Sequence, residues 1–314
     1  MKPETEQLLG TLEVLSQYGG CQPLFWETAT QGEFSLWSLL ISQGFVRQTD
    51  VELAFERWQN IEHWGTPTNQ ALNDYEYAPP RSERDNDDWN EAIAIQRQEI
   101  YYHIQELLST HLQHQQAYKL SVSQALQSKF EWHHPAFFVS IVVGEMENGH
   151  WLCLVPTVPD QVGFRPCKPN QATTLAILVD TLQVNGELIA DCPLTNQLCS
   201  LLDQLRPIEI YGYYYGGYNY SYDHRIVGAV TPTQSSAIEL ALQAAEMLVV
   251  RKPSIEFLDA SSSREITQFM NQCLRDRTLY SLSFWDISYT YEFGQTPVGD
   301  WIGVRSSGEF EYNP

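Results

Sequence analysis

The chain has 314 residues, with 39 acidic against 18 basic side chains and a formal net charge of -21. That balance disfavours a nucleic-acid phosphate backbone or an anionic membrane as the main partner and favours another protein with a basic surface. A hydrophobic fraction of 43% and an aromatic fraction of 12% suffice for sizeable cores, and the length suits two ordinary domains. Six cysteines, Cys21, Cys153, Cys167, Cys192, Cys199 and Cys273, contain no C-x-x-C pair. They read as buried thiols of a reducing, cytoplasmic compartment. Met1–Gly10 has no basic segment ahead of an apolar core, so no signal peptide is expected. No apolar run approaches the ~20 residues that cross a bilayer.

In chain order, Leu8, Leu9, Leu12 and Leu15 give a helical stripe over residues 4–17 that Gly19-Gly20 ends. Leu24–Trp26 reads as a short strand. Leu53, Phe55, Trp58 and Ile61 continue a helical spacing between Trp37 and Trp64. Residues 65–88, with Pro67, Pro79, Pro80 and the charged run Arg81–Asp88, read as a long surface loop. Asp88 is placed to cap the following helix, whose mostly apolar stripe of Ile93, Gln96, Ile100, Ile104, Leu107, Leu108 and Leu112 packs on a sheet. A strand at Tyr118 and a hairpin through Phe137–Val155 follow. Pro156, Pro159, Gly163, Pro166 and Pro169 then mark a boundary. The second half reads as Thr174–Val184 with a turn at Asn185-Gly186, then a helix near 196–205 ended by Pro207. A Tyr-rich hairpin over 208–230, a helix Ser235–Val250, a strand Ile255–Leu258 and a helix Arg264–Arg275 behind Ser261-Ser262-Ser263 come next.

The last element is the clearest. Tyr280–Val304 alternates apolar and polar residues, turns through Thr296-Pro297-Val298-Gly299 and returns through Trp301, Ile302 and Val304, as a hairpin with one buried face does. The earlier hairpin repeats its frame: Gly144-Glu145, then Gly149 and Trp151, against Gly294-Gln295, then Gly299 and Trp301. The two frames are 150 residues apart, which predicts an internal duplication. The expected fold class is α+β, as two diverged tandem α/β sandwich modules over 1–160 and 170–314. Each has an antiparallel, hairpin-rich sheet packed against helices.

The run Tyr280-x-Leu282, Tyr289–Phe293 and Gly294-Gln295-Thr296-Pro297-x-Gly299-x-x-x-Gly303 resembles the C-terminal hairpin of the nuclease A inhibitor family. The helix at Arg264–Arg275 and the opening Pro23-Leu24-Phe25-Trp26-Glu27 are similar to parts of that family too. The resemblance implies a small acidic α+β module that blocks a sugar-non-specific nuclease by presenting an acidic loop and a chain end to its active site. This sequence departs at both places. Tyr18–Pro23 lacks an acidic run, and the chain continues past the hairpin through Glu309 and Glu311.

No phosphate-binding G-x-x-x-x-G-K-[ST], strand–G-x-G-x-x-G–helix unit or G-x-S-x-G elbow occurs. His103, His111 and His114 cluster on or beside one helix, but without H-E-x-x-H they read as a solvated face, and no metal or other cofactor is expected. The segment 211–225 is unusually rich in tyrosine. Tyr213, Tyr214, Tyr215, Tyr218, Tyr220 and Tyr222, together with acidic Glu309 and Glu311, are the candidate protein-binding residues, since large stiff rings with a polar tip suit an interface. The function expected is non-enzymatic protein binding, as an inhibitor, adaptor or assembly factor. Two alternatives are an enzyme or ligand site at the module junction, and base or small-molecule stacking on the tyrosines.

Overall fold

A computed structural model describes residues 1–64, 90–121, 138–158, 177–179, 193–213, 219–253, 263–284 and 287–309. The loop expected at 65–88 and the strand expected at Ile255–Leu258 lie outside these residues, as do all but residues 177–179 of the segment Thr174–Val184. The protein is α+β, with antiparallel sheets and helices packed on them. It divides into two compact units, but not at the expected boundary near 160–170. Unit 1 joins Met1–Leu39 to Met247–Phe310, and unit 2 is built chiefly from Leu40–Asp160 and Arg165–Glu246. Strand pairing is the cause, because the first strand of the chain pairs with the last.

In unit 1, α1 (Pro3–Gly19) starts with a proline whose fixed φ suits the first helical turn. Glu4 and Glu6 face the positive end of its dipole, and Gly20 ends it in the left-handed region at φ 64°. β1 (Gln22–Trp26) and the four-residue α2 (Thr28–Gln31) follow. The sheet runs β1-β13-β12-β11-β10, with β10 at Leu248–Arg251, β11 at Arg275–Phe284, β12 at Ile287–Gln295 and β13 at Trp301–Glu309. Helices α1 and α8 (Arg264–Cys273) cover one face, where Leu12, Ile266 and Met270 meet Leu279, Ile302 and Val304. Across the other face Phe34 stacks on Trp301 at 4.8 Å and tilts against Phe293 at 4.8 Å.

In unit 2, β2 (Val46–Thr49), β3 (Leu112–Ser121), β4 (Phe138–Met146), β5 (Trp151–Pro156), β9 (Ile226–Thr231) and β6 (Ile177–Val179) form a sheet in that order. Only its β6–β9 pair is parallel. Helices α4 (Val51–Trp64), α5 (Glu91–His111) and α6 (Pro193–Leu205) supply Trp58, Ile104 and Leu198 to one core with Val142, Leu154 and Val230 of the sheet. Helix α7 (Gln234–Ala244) buries Ile238 and Leu242 and packs against β9 and β5. The region expected as one helical stretch between Trp37 and Trp64 is α3 (Leu36–Ser42), then β2 and α4. Gly44 at φ 77° breaks the first helix, and Val46 starts the strand. The helix expected at Ser235–Val250 stops at Ala244 for the same kind of reason. Glu246 takes φ 61°, and the β-branched Val249 and Val250 join β10.

Both hairpin frames form hairpins with matching turns. Met146 N–H donates to the His150 carbonyl at 2.7 Å, and Thr296 N–H donates to the Asp300 carbonyl at 2.7 Å. Gly149 and Gly299 sit at φ 80° and 95°, where a side chain is strained. Gly144 and Gly294 are required for a different reason. A Cβ on Gly144 would lie 2.9 Å from the Leu112 side chain, and one on Gly294 would lie 2.7 Å from Leu274 Cβ. Gly294→Ala is therefore expected to lower the urea-unfolding free energy by about 1–3 kcal/mol through overpacking. Gly10→Ala, inside α1 with nothing within 4 Å of the added Cβ, is expected to raise it by about 0.5–1 kcal/mol.

Candidate functional site

Helix α5 carries the best-defined surface. Its cap is Asn90 rather than Asp88, two residues further along the chain: the Asn90 side-chain oxygen accepts from Ile93 N–H at 3.0 Å. The inward side holds Arg97, Ile100, Tyr101, Ile104 and Leu108. Arg97 is 6% exposed and Glu62 of α4 only 2%. The guanidinium grips that carboxylate with two bonds, Nε to Oε2 at 2.8 Å and Nη2 to Oε1 at 2.7 Å, and its Nη1 donates to the Arg206 carbonyl at 3.1 Å. Tyr101 Oη donates to Glu62 Oε1 at 2.6 Å. Burial opposes the Arg97 charge, but the Glu62 carboxylate outweighs it and the arginine is held above its ordinary value. Burial first, and Glu62 next, push the Tyr101 phenol well up.

That network decides what α5 shows outside. The charged residues of the helix are Glu91, Arg97, Glu99 and Glu106, and the one arginine is turned inward to Glu62. The outer face keeps three exposed glutamates with no lysine or arginine beside them on the helix. Ile95 (52% exposed) and Tyr102 (64% exposed) recur with Glu99 and Glu106 at i, i+4, i+7 and i+11, one stripe of a 3.6-residue helix. Beside this stripe a groove of about 450 Å³ runs between α5 and α6, lined by His103, Glu106, Leu107, His111, Gln197 and Leu201 among others. His103 Nδ1 lies 3.8 Å from Glu106 Oε2, and both side chains are exposed.

The tyrosine segment is divided. It was expected to form one hairpin over 208–230, but the hairpin is β7 (Ile208–Tyr213) with β8 (Asn219–His224), and β9 leaves it to join the six-stranded sheet beside β5. Tyr213 pairs with Asn219 and Tyr220 with Gly212 through the backbone. Tyr222 is half-buried and packs with Ile61, Ile208 and Ile210, its hydroxyl 3.4 Å from His224 Nδ1. It is a core contributor as well as a surface residue. Tyr214, Tyr215 and Tyr218 lie outside the described residues, as does Glu311. Glu309 ends β13 opposite Ile287.

Among the described residues no group of three or more His, Cys, Asp or Glu side chains is placed to hold a metal ion. Among the same residues no helix is long and apolar enough to cross a membrane. Burial pushes the thiol of Cys153 far up, and burial with the nearby Asp203 raises Cys199, so neither supplies a ready thiolate. No family model matches the chain, and neither a curated protein nor a solved structure matches it.

The periodicity that marks the inward set of α5 singles out neither Ile95 nor Tyr102, so its acidic stripe was not expected from the sequence. The available signal was their position, about half a turn round the helix from the Ile93–Ile100–Ile104–Leu108 line. Removing one partner of the buried pair leaves an uncompensated charge. Glu62→Ala is thus expected to destabilise by about 3–5 kcal/mol in chemical unfolding. The raised Tyr101 phenol sets a pH effect as well. Below the ordinary tyrosine value of 10.0 both folded and unfolded states keep the proton. Above it the unfolded state loses the proton first, so stability falls as pH rises. Urea midpoints measured from pH 8 to 11.5 should decline above about 10, and Tyr101→Phe should flatten that decline.

Proposed function

We propose that this chain is a non-enzymatic, cytoplasmic protein-binding protein that captures a partner with a basic surface, as an inhibitor, adaptor or assembly factor. The observation that carries the reading is the outer face of α5, where Ile95 and Tyr102 stand exposed among Glu91, Glu99 and Glu106 while the only arginine of the helix is bound inward by Glu62. Two exposed apolar side chains framed by like charges suit a partner that brings a small apolar contact ringed by lysine or arginine. The formal charge of -21 extends that preference over long range and speeds encounter. The resemblance of Tyr280–Gly303 to the nuclease A inhibitor hairpin supports the same class of activity. Tyr213, Tyr220, Tyr222 and Glu309 remain candidates for a second contact.

The test compares two baits in a native lysate, the parent chain and an Ile95→Ser/Tyr102→Ser variant whose folding is checked by circular dichroism. A stoichiometric basic partner should bind the parent at low salt and elute at high salt. Its affinity for the variant should drop by roughly tenfold or more. Equal recovery on both baits, or no stoichiometric partner on either, overturns the reading.

A further inference from the structure

The two units repeat one set of pairings, and the repeats are interleaved along the chain. Helix α5 ends at Leu112, whose N–H donates to the Leu108 carbonyl, and helix α8 ends at Leu274, whose N–H donates to the Met270 carbonyl. Each helix leads straight into a bulged strand, with the register shifting between Gln113 and Gln116 in β3 and between Arg275 and Thr278 in β11. The bulges hold His114 at φ 49° and Asp276 at φ 47°, both unusual for non-glycine residues. Each strand then pairs with a short strand in one register: Val46↔Leu120 to Thr49↔Ala117, and Leu248↔Leu282 to Arg251↔Leu279. Ser121 N–H donates to the Phe45 carbonyl at 2.8 Å, and Ser283 N–H to the Met247 carbonyl at 2.9 Å. The left-handed residues before those short strands, Gly44 and Glu246, match as well.

The remaining strand of each set comes from the other end of the chain. β13 is flanked by β1, with Trp301↔Trp26 and Val304↔Pro23, and β5 is flanked by β9, with Trp151↔Thr231 and Leu154↔Gly228. β1 follows α1 directly and β9 follows α6 after the inserted β7–β8 hairpin; the two helices open alike, Pro3-Glu4-Thr5 and Pro193-Leu194-Thr195, and pack on α8 and α5 in turn. Divergence is visible at one matched spot. Thr5 Oγ1 donates to Asp300 Oδ2 at 2.8 Å in unit 1, whereas at the corresponding positions of unit 2 Thr195 Oγ1 and both ring nitrogens of His150 are buried without a hydrogen-bond partner among the described residues.

We infer that the chain is a duplicated module in which the leading helix–strand segment of each copy completes the sheet of the other copy. It is a single-chain equivalent of a segment-swapped dimer, in which the partner that each copy accepts is a second copy of the same module. Copy one spans α1 to β5 and copy two spans α6 to β13. Unit 1 is the front of copy one with the back of copy two, and unit 2 is the reverse. Two consecutive, self-contained modules would each fold and melt alone. Exchanged copies cannot, because parting them strips β1 and a covering helix from one sheet, and β9 with β6 and a covering helix from the other.

The experiment inserts a site-specific protease sequence after Asn170 in the full chain and cuts it after folding. The expected result is a cut protein that elutes as one particle. Its melting temperature should become dependent on protein concentration, and its two pieces should part only where the far-UV circular dichroism of the folded state is lost. Separation of the pieces on a native column, each retaining its folded spectrum as a monomer and a concentration-independent melting temperature, overturns the inference.

Discussion

The antiparallel ladder between β1 and β13 is the constraint on which the architecture turns. It brings Gln22–Trp26 against Trp301–Arg305, so the front of the chain must wait for its last strand before its backbone groups are paired. The β5–β9 ladder imposes the mirror requirement on the other unit. Pairing of such long sequence separation costs loop-closure entropy before any contact repays it, so folding should be slow and cooperative over the whole chain. These two ladders also explain why the compact units divide inside the first and second halves rather than between them.

A second constraint is chemical. Among the described residues, Arg97 is paired with Glu62 in unit 2, and Arg277 with Glu292 in unit 1, where Arg277 Nε donates to Glu292 Oε1 at 3.0 Å. A buried pair of this kind adds little net stability over an apolar substitute, yet breaking it is costly, so it fixes which helix and strand faces meet. In unit 2 the consequence reaches the surface. Because Glu62 takes the only arginine of α5, the outer face of that helix is left acidic with Ile95 and Tyr102 exposed on it.

Architecture and proposed function meet there. A protein of such negative charge, without a clustered metal-ligand set among the described residues, has its most distinctive surface on a rigid helix held from behind by a bidentate ion pair. A binding face set on a rigid element loses little entropy on docking, which favours recognition over adaptation. Tyr222 of β8 is less free than its sequence suggests, since it is spent partly on the Ile61–Ile208–Ile210 cluster.

The sequence by itself determined the α+β class, the amphipathic helices and both hairpins. Those features rest on local periodicity and on glycines such as Gly149 and Gly299, whose turns need a left-handed φ wherever they occur. It also carried the 150-residue echo between the hairpin frames. It did not carry the break after Ser42 or after Ala244, where left-handed Gly44 and Glu246 interrupt a helical spacing that a periodicity count reads straight through. Only the tertiary structure decided which strands pair across the chain, because a strand's pattern states which face is buried and not which partner lies beside it. The same holds for the acidic face of α5. Arg97 counts as a surface charge until Glu62, 35 residues earlier, is brought to 2.8 Å from it.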